Sequence, residues 1–172
     1  VGLACYDTKR HSFVSQFGSN YVLAGKVVNT VIMDKRGTLW VGTDCGLMNC
    51  DAHGKLIGEY TTANGLPHDN VCSLQFDEQG QLWIGTMNGL ACKKGDTFTC
   101  YYASDGLQEG EWSERAACAT AGLVVMGGVG GLSVVNPEAM VQVGRDVPTL
   151  QLVEALMDGQ SVPPNMSFDM SH

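Results

Sequence analysis

Positive charge is scarce in this sequence: ten lysines and arginines face eighteen acidic residues among 172, for a formal net charge of −8. A phosphate backbone demands a basic face, and an anionic membrane surface attracts basic segments. Neither is an expected partner of this segment. No apolar run approaches the roughly 20 residues needed to cross a bilayer. Residues 1–10 show no basic start followed by a long apolar stretch and a cleavage site. Seven cysteines stand at Cys5, Cys45, Cys50, Cys72, Cys92, Cys100 and Cys118, yet no Cys-x-x-Cys pair occurs. The four histidines, His11, His53, His68 and His172, complete no zinc-ligand pattern with them. The cysteines therefore read as small buried hydrophobes. Gly-x-Ser-x-Gly, His-Glu-x-x-His and Asp-x-Asp-x-Asp-Gly segments are also missing. Gly127-Gly128-Val129-Gly130-Gly131 lacks the Gly-x-Gly-x-x-Gly spacing of a phosphate loop, because Ser133 takes the last position. No catalytic residue, metal or cofactor is expected. No stretch of ten or more residues holds a helical period without glycine or proline, which excludes a helical solenoid.

What is present is repetition. The 22 glycines stand well above the usual share of about 7%. Val28 to Leu47 recurs about 43 residues later as Val71 to Leu90. The shared frame is Asp-x-x-Gly-x-Leu-Trp-φ-Gly-Thr-x-x-Gly-Leu, where φ is apolar. A degenerate third copy runs from Gly122 to Leu132, and Gly2-Leu3 matches the closing Gly-Leu of a repeat. Within one unit, Val71–Phe76 and Leu82–Thr86 are β-branched and apolar runs, joined by the tight turn Asp77-Glu78-Gln79-Gly80. Gly89–Lys93 and Thr97–Tyr102 read as third and fourth strands. Four short strands in about 43 residues, repeated, predict β-propeller blades. Alternation puts Leu82 and Ile84 on one strand face and Trp83 on the other. Both faces of a blade are buried against neighbours, so all three belong to the core.

With that frame, the sequence resembles the two-component-regulator propeller repeat of bacterial sensor proteins, found mostly in Bacteroidetes. Met126-Gly127-Gly128-Val129-Gly130-Gly131-Leu132 through Asn136-Pro137 resembles the family's closing signature, with Met126 and Val135 in place of its two phenylalanines. Val147 to Val162 looks like the opening hairpin of the triple-tyrosine domain, an immunoglobulin-like sandwich. The resemblance implies an all-β chain: a partial β-propeller of about three four-stranded blades, followed by the first strands of that sandwich. It divides the chain into 1–26 (end of a truncated blade and linker), 27–70 and 71–112 (blades), 113–145 (a final degenerate blade) and 146–172 (start of the sandwich). Three and a half repeats do not close a ring. The chain is therefore expected to be a fragment whose open faces make it marginal or self-associating alone, and the missing signal and membrane segments follow from truncation.

The resemblance further implies the periplasmic portion of an inner-membrane sensor, a histidine kinase output in the parent chain and homodimerisation of that parent. It also implies an oligosaccharide ligand and the remaining blades of the same propeller as partners. An autonomous carbohydrate-binding or structural propeller module is the alternative. Asp34 and Asp77 read as turn caps, and Trp40 and Trp83 as packing between blades. Ligands of propellers bind on the face carrying the inter-blade connections and the turns between second and third strands. There the candidate ligand residues are Asn64, His68, Asp69, Asn70, Asn88, Glu111 and Trp112, which offer hydrogen bonding and stacking suited to a carbohydrate.

Overall fold

The computed structural model describes residues 4–14, 23 and 25–140, together with the backbone of 155–157 and 160–162. The chain divides into two compact units, Val1–Val141 and Gln142–His172. The first opens with a short hairpin, β1 (Tyr6–Asp7) and β2 (Ser12–Phe13), whose two rings meet edge to face at 5.1 Å. Two four-stranded antiparallel sheets follow. One runs β3 (Val28–Met33), β4 (Leu39–Thr43), β5 (Gly46–Cys50), β6 (Leu56–Tyr60); the other runs β7 (Val71–Phe76), β8 (Leu82–Thr86), β9 (Gly89–Lys94), β10 (Thr97–Tyr101). A third sheet has three strands among the described residues, β11 (Trp112–Thr120), β12 (Leu123–Gly128) and β13 (Gly131–Val135). The second unit contributes a hairpin of β14 (Ala155–Met157) and β15 (Gln160–Val162). The rest of the sandwich segment expected at 146–172 lies outside the described residues.

Each sheet is a meander, and the first strands β3, β7 and β11 pack beside one another. This is the arrangement of consecutive propeller blades around a common axis. In β8 the alternation of side chains separates two seams. Leu82 and Ile84 join Leu47, Leu66, Val71 and Leu74 against the preceding blade, while Trp83 joins Trp112, Val124, Met126 and Val135 against the following one. Leu66 and Leu107, from the Gly-Leu pair at the far end of each repeat, plug the corresponding seams.

Every position of the repeat frame has a physical cause. Asp34 Oδ1 accepts from the Arg36 and Thr38 amides, and Asp77 Oδ1 from the Gln81 amide, each at 2.8 Å, closing the turn between first and second strands. Gly37 and Gly80 hold φ of +85° and +82° in those turns, a conformation that favours glycine. Burial pushes the Asp34 carboxyl up, but the amides of Thr38 and Arg36, the Thr38 hydroxyl and the neighbouring Trp40 indole outweigh it and hold it below its ordinary 3.8. Its stabilising contribution is therefore present above the ordinary value and lost as pH falls through the folded one. The Thr43 and Thr86 hydroxyls donate to the Gly46 and Gly89 carbonyls at 2.8 Å and accept the Cys45 and Asn88 amides at 3.2 Å, bracing the two-residue turns after β4 and β8.

The glycine two residues after the tryptophan makes room for the next blade. A Cβ on Gly42 would lie 2.6 Å from Val71 Cγ1, and one on Gly85 would lie 3.2 Å from Trp112 Cβ. Val71 and Trp112 open β7 and β11, so each blade seats the first residue of its successor. The glycine run between β12 and β13 has a similar origin. A Cβ at Gly128 or Gly130 would fall 2.1 or 2.8 Å from the Gln108 side chain, which accepts the Gly130 amide at 2.7 Å.

In the last sheet, β13 is followed by an Asn136-capped turn in which Asn136 Oδ1 accepts from the Glu138 amide at 3.0 Å, and 141–145 of the expected final blade lie outside the described residues. One sequence expectation needs correction here: not all the cysteines are buried. Cys50, Cys72 and Cys92 are, Cys5 and Cys100 are half-buried, and Cys45 and Cys118 are exposed. Burial, with the Glu114 and Glu111 charges, raises the Cys72 thiol to about 11. Burial and Asp77, opposed by Lys94, raise Cys92 to about 12. The thiolate is the nucleophile. Iodoacetamide at pH 8 should therefore label Cys45 and Cys118 first, and Cys72 and Cys92 only after denaturant is added. Mass spectrometry of the modified peptides checks this, and rapid native labelling of Cys92 would contradict the packing.

Candidate functional site

Five of the seven candidate residues sit on two connectors, 61–70 between β6 and β7 and 102–111 between β10 and β11, while Asn88 lies in the turn between β8 and β9 and Trp112 opens β11. Each connector begins with a single 3-10 turn, Thr62–Asn64 or Ala103–Asp105, ended by a left-handed glycine, Gly65 (φ 105°) or Gly106 (φ 91°). In the first connector the polar side chains are consumed by the fold. Asn64 Oδ1 accepts the Thr61 amide at 2.9 Å, and Asp69 Oδ1 accepts the Thr62 amide at 2.7 Å. His68 Nδ1 accepts the Asn70 amide at 2.9 Å, which leaves its proton on Nε2. Asn70 Oδ1 accepts from the buried Asn29 side chain at 2.8 Å, and Asn29 also donates to the Val71 carbonyl at 3.0 Å. These four residues lie together, but Asn64, His68 and Asp69 satisfy backbone donors in the manner of capping residues, and Asn70 satisfies the buried Asn29 side chain.

The second connector is different. Asn88, Tyr102, Ser104, Leu107, Gln108 and Trp112 line a cavity of about 190 Å³ beside the turn between β8 and β9. Here the structure brings together Asn88 and Trp112 from the expected set. Trp112 is a correction in its role: only 3% exposed, it opens β11 and packs into the seam, so it forms the cavity wall and offers no open stacking platform. The reason is its register, which matches that of Val71 in the preceding blade. Glu111 is exposed; its carbonyl accepts the Val129 amide at 2.9 Å, and its carboxylate lies near Cys72.

Tyr102 and Gln108 escaped the sequence reading. Tyr102 replaces Thr61 of the first connector, and its ring lies against Gly89, where an added Cβ would meet it at 2.9 Å. A large aromatic at a position that caps a turn in the neighbouring repeat is the signal that could have found it. Gln108 replaces Pro67. Its amide donates to Ser133 Oγ at 3.0 Å, which anchors the connector to the last blade.

On the inner side of the blades, β11 shifts register between Trp112 and Ala117, and Arg115 adopts φ 58° within that irregularity. Its Nε donates to the Asn29 carbonyl at 3.1 Å, tying the first strand of the last blade to that of the first. A bulge that re-aims a side chain is the usual use of such an irregularity.

Comparison with known proteins bears on this arrangement. The family described as two-component regulator propeller matches residues 22–45 and 65–88, the segments that carry the tryptophan frame. Those two segments match the two-component regulator propeller repeat. No curated protein matches it. Among solved structures, the extracellular domain of BT3049 of B. thetaiotaomicron, described as a hybrid two-component system, superposes with a TM-score of 0.74 over 94% of this chain at 20% identity. The extracellular domain of BT4673 from the same organism gives TM-scores of 0.61 and 0.53 in two structures, at 20% and 23% identity over 80% and 77% of this chain. It is described as a one-component system in one and as a hybrid two-component system in the other. At these identities the likeness is one of fold. The chain spans about a quarter of the length of the BT3049 domain (24%) and about a fifth of BT4673 (20% and 18%). Between the two matched repeats the strand frame is held constant while the connectors differ, and the cavity at Asn88 and Tyr102 lies where the second connector carries Tyr102 and Gln108 in place of Thr61 and Pro67.

Proposed function

We propose that this chain is part of the extracytoplasmic, periplasmic ligand-sensing region of a membrane-bound sensor, and that it contacts an oligosaccharide on its connector face. The observation that carries the reading is the cavity at Asn88, Tyr102 and Gln108, on a propeller fold shared with extracellular domains of two-component systems. Its volume, about 190 Å³, lies below the 300–1,000 Å³ of drug-sized pockets. One sugar ring fits such a space, with the rest of a chain lying over the open connector. Tyr102 supplies an aromatic face, and Asn88 and Gln108 supply amide donors and acceptors for hydroxyls. The last blade then passes the event on, because Gln108 touches both the cavity and the turn between β12 and β13. Transmission requires that the ligand bind one arrangement of the parent, a homodimer in this reading, better than another. The parent's output is a histidine kinase.

Calorimetric titration with a panel of neutral oligosaccharides tests this reading. Binding of at least one, weakened by about ten-fold or more in Tyr102→Ala and Asn88→Ala, corresponds to losing one well-formed polar or stacking contact. Wild-type affinity in both variants, or no binding by any glycan, removes the connector face as the ligand site and leaves a structural propeller module.

A further inference from the structure

On the opposite side of the same blades, the turns between first and second strands border a groove of about 840 Å³ between the first two sheets. Its floor is apolar, from Ile32, Phe76 and Leu82, and three of the chain's ten lysines and arginines line it: Lys35, Arg36 and Lys93. Among the described residues none of these three has an acidic partner within ion-pair distance; the ion pairs there are Arg10 with Asp7 and Lys26 with Glu59. The carboxylates at the groove are otherwise committed. Asp34 caps its turn, and Asp77 Oδ2 accepts the Trp83 indole N–H at 2.9 Å while Oδ1 caps the turn. Glu78 Oε1 accepts the Gly122 amide at 2.9 Å.

Lys93 is the unusual member. Lysine is almost never buried without a partner, yet this one is 9% exposed. Its Nζ sits 5.6 Å from the centroid of Trp40, 5.2 Å from Tyr60 and 5.6 Å from Phe98, and it donates to the Gly95 carbonyl. The three rings hold the ammonium in place by cation–π attraction, and one carbonyl leaves it with donors to spare. The repeat does not require a lysine here: Lys93 pairs with Leu82, and the matching partner of Leu39 in the preceding blade is Cys50. Beside it, the buried Trp40 Nε1 faces the Asp34 carboxylate but lies beyond hydrogen-bonding distance of any acceptor, whereas its repeat counterpart Trp83 bonds Asp77.

We propose that this groove is a second ligand site, separate from the connector face, which takes an oxyanion such as a carboxylate or sulfate ester carried on a ring that covers the apolar floor. Lys93 provides a fixed central charge, and Arg36 and Lys35 close over the anion from the exposed turn, where a guanidinium can engage two oxygens at once. Asp34, Asp77 and Glu78 line the same groove and balance its formal charge, so selection rests on the placement of the three unpaired cations and not on a net positive field.

The test uses the 172-residue chain and its tryptophan fluorescence, since Trp40 lines the groove. D-Glucuronate, glucose 6-sulfate and glucose are titrated at low salt and again in 0.5 M sodium chloride. At least one anionic sugar should give a saturable change that glucose does not, and added salt should weaken it. A response to glucuronate alone identifies a carboxylate, to the sulfate alone a sulfate ester. Lys93→Met should weaken the anion by about ten-fold or more, and the double variant Lys35→Gln/Arg36→Gln by about three- to ten-fold, as expected for loss of charge-assisted hydrogen bonds. Should Lys93→Met fail to fold, the double variant at exposed turn positions decides. Equal binding of glucose, no saturable binding of either anion, or wild-type affinity in the double variant overturns the proposal. Neutral oligosaccharides report on the connector face, so the two sites fail independently.

Discussion

Trp83→Ala should lower the stability of the folded chain by about 3–5 kcal/mol, the range for deleting a large aromatic from a packed core. That is a large part of the roughly 5–15 kcal/mol that holds a domain folded. Three effects add at this position. The side chain is 1% exposed and fills the seam against Trp112 and Met126. Its ring stacks on Tyr101 at 6.0 Å. Its N–H is the partner of Asp77 Oδ2, and Asp77 is itself 6% exposed, so truncation leaves a buried carboxylate oxygen unpaired. Trp40→Ala should cost less than half as much. Trp40 is half-buried and its N–H has no acceptor at hydrogen-bonding distance to lose. Urea unfolding of both variants, followed by far-ultraviolet circular dichroism, measures the difference; equal losses would show that the two tryptophans are interchangeable packing.

Gly85→Val should prevent the last two blades from docking. Even a single Cβ at Gly85 would lie 2.4 Å from Ser73 Oγ, 3.0 Å from Met126 Cε and 3.2 Å from Trp112 Cβ. Overpacking of this kind costs about 1–3 kcal/mol for small additions, and two further methyl groups between β7 and β11 have nowhere to go. The expected outcome is loss of the cooperative transition, with β11–β13 unprotected in amide exchange while the first blade keeps its protection. Gly127 stands at the same place in the last repeat but faces only Ala116, at 3.2 Å from an added Cβ. Gly127→Ala should therefore change the melting temperature little. A Gly85→Val protein that unfolds like the wild type would mean the seam is not closed as described.

Much of the blade could be read directly from sequence. The division of Leu82 and Ile84 from Trp83 follows from the two-residue period, because β8 keeps its alternation unbroken, whereas the bulge between Val71 and Ser73 in β7 left no mark in the sequence. The turn aspartates were legible for the same local reason: an Asx cap needs only its own four or five residues. The site was less legible. His68, Asp69 and Asn70 look like ligand groups in sequence because the atoms that bind a sugar are those that cap a backbone, and only three-dimensional pairing tells which use wins. Trp112 was read as part of a loop, although its alignment with Val71 already placed it at the start of a strand. Lys93 carried no sequence signal of burial. Its environment is made by Trp40 and Tyr60 from the preceding repeat together with Phe98, and such a box is a property of two blades at once.

The seating of Val71 by Gly42 and of Trp112 by Gly85 changes what the repeat is a unit of. The sequence is periodic in blades, yet the tryptophan, its glycine and the residue they receive never lie within one period. What recurs as a cooperative element is the joint, half of it written at the end of one period and half at the start of the next. Cutting at a connector, where the sequence offers its most obvious boundary, therefore divides every joint it touches and yields pieces that each lack their complement. A domain border drawn through the middle of a sheet's outer strands would injure less of what keeps the chain folded.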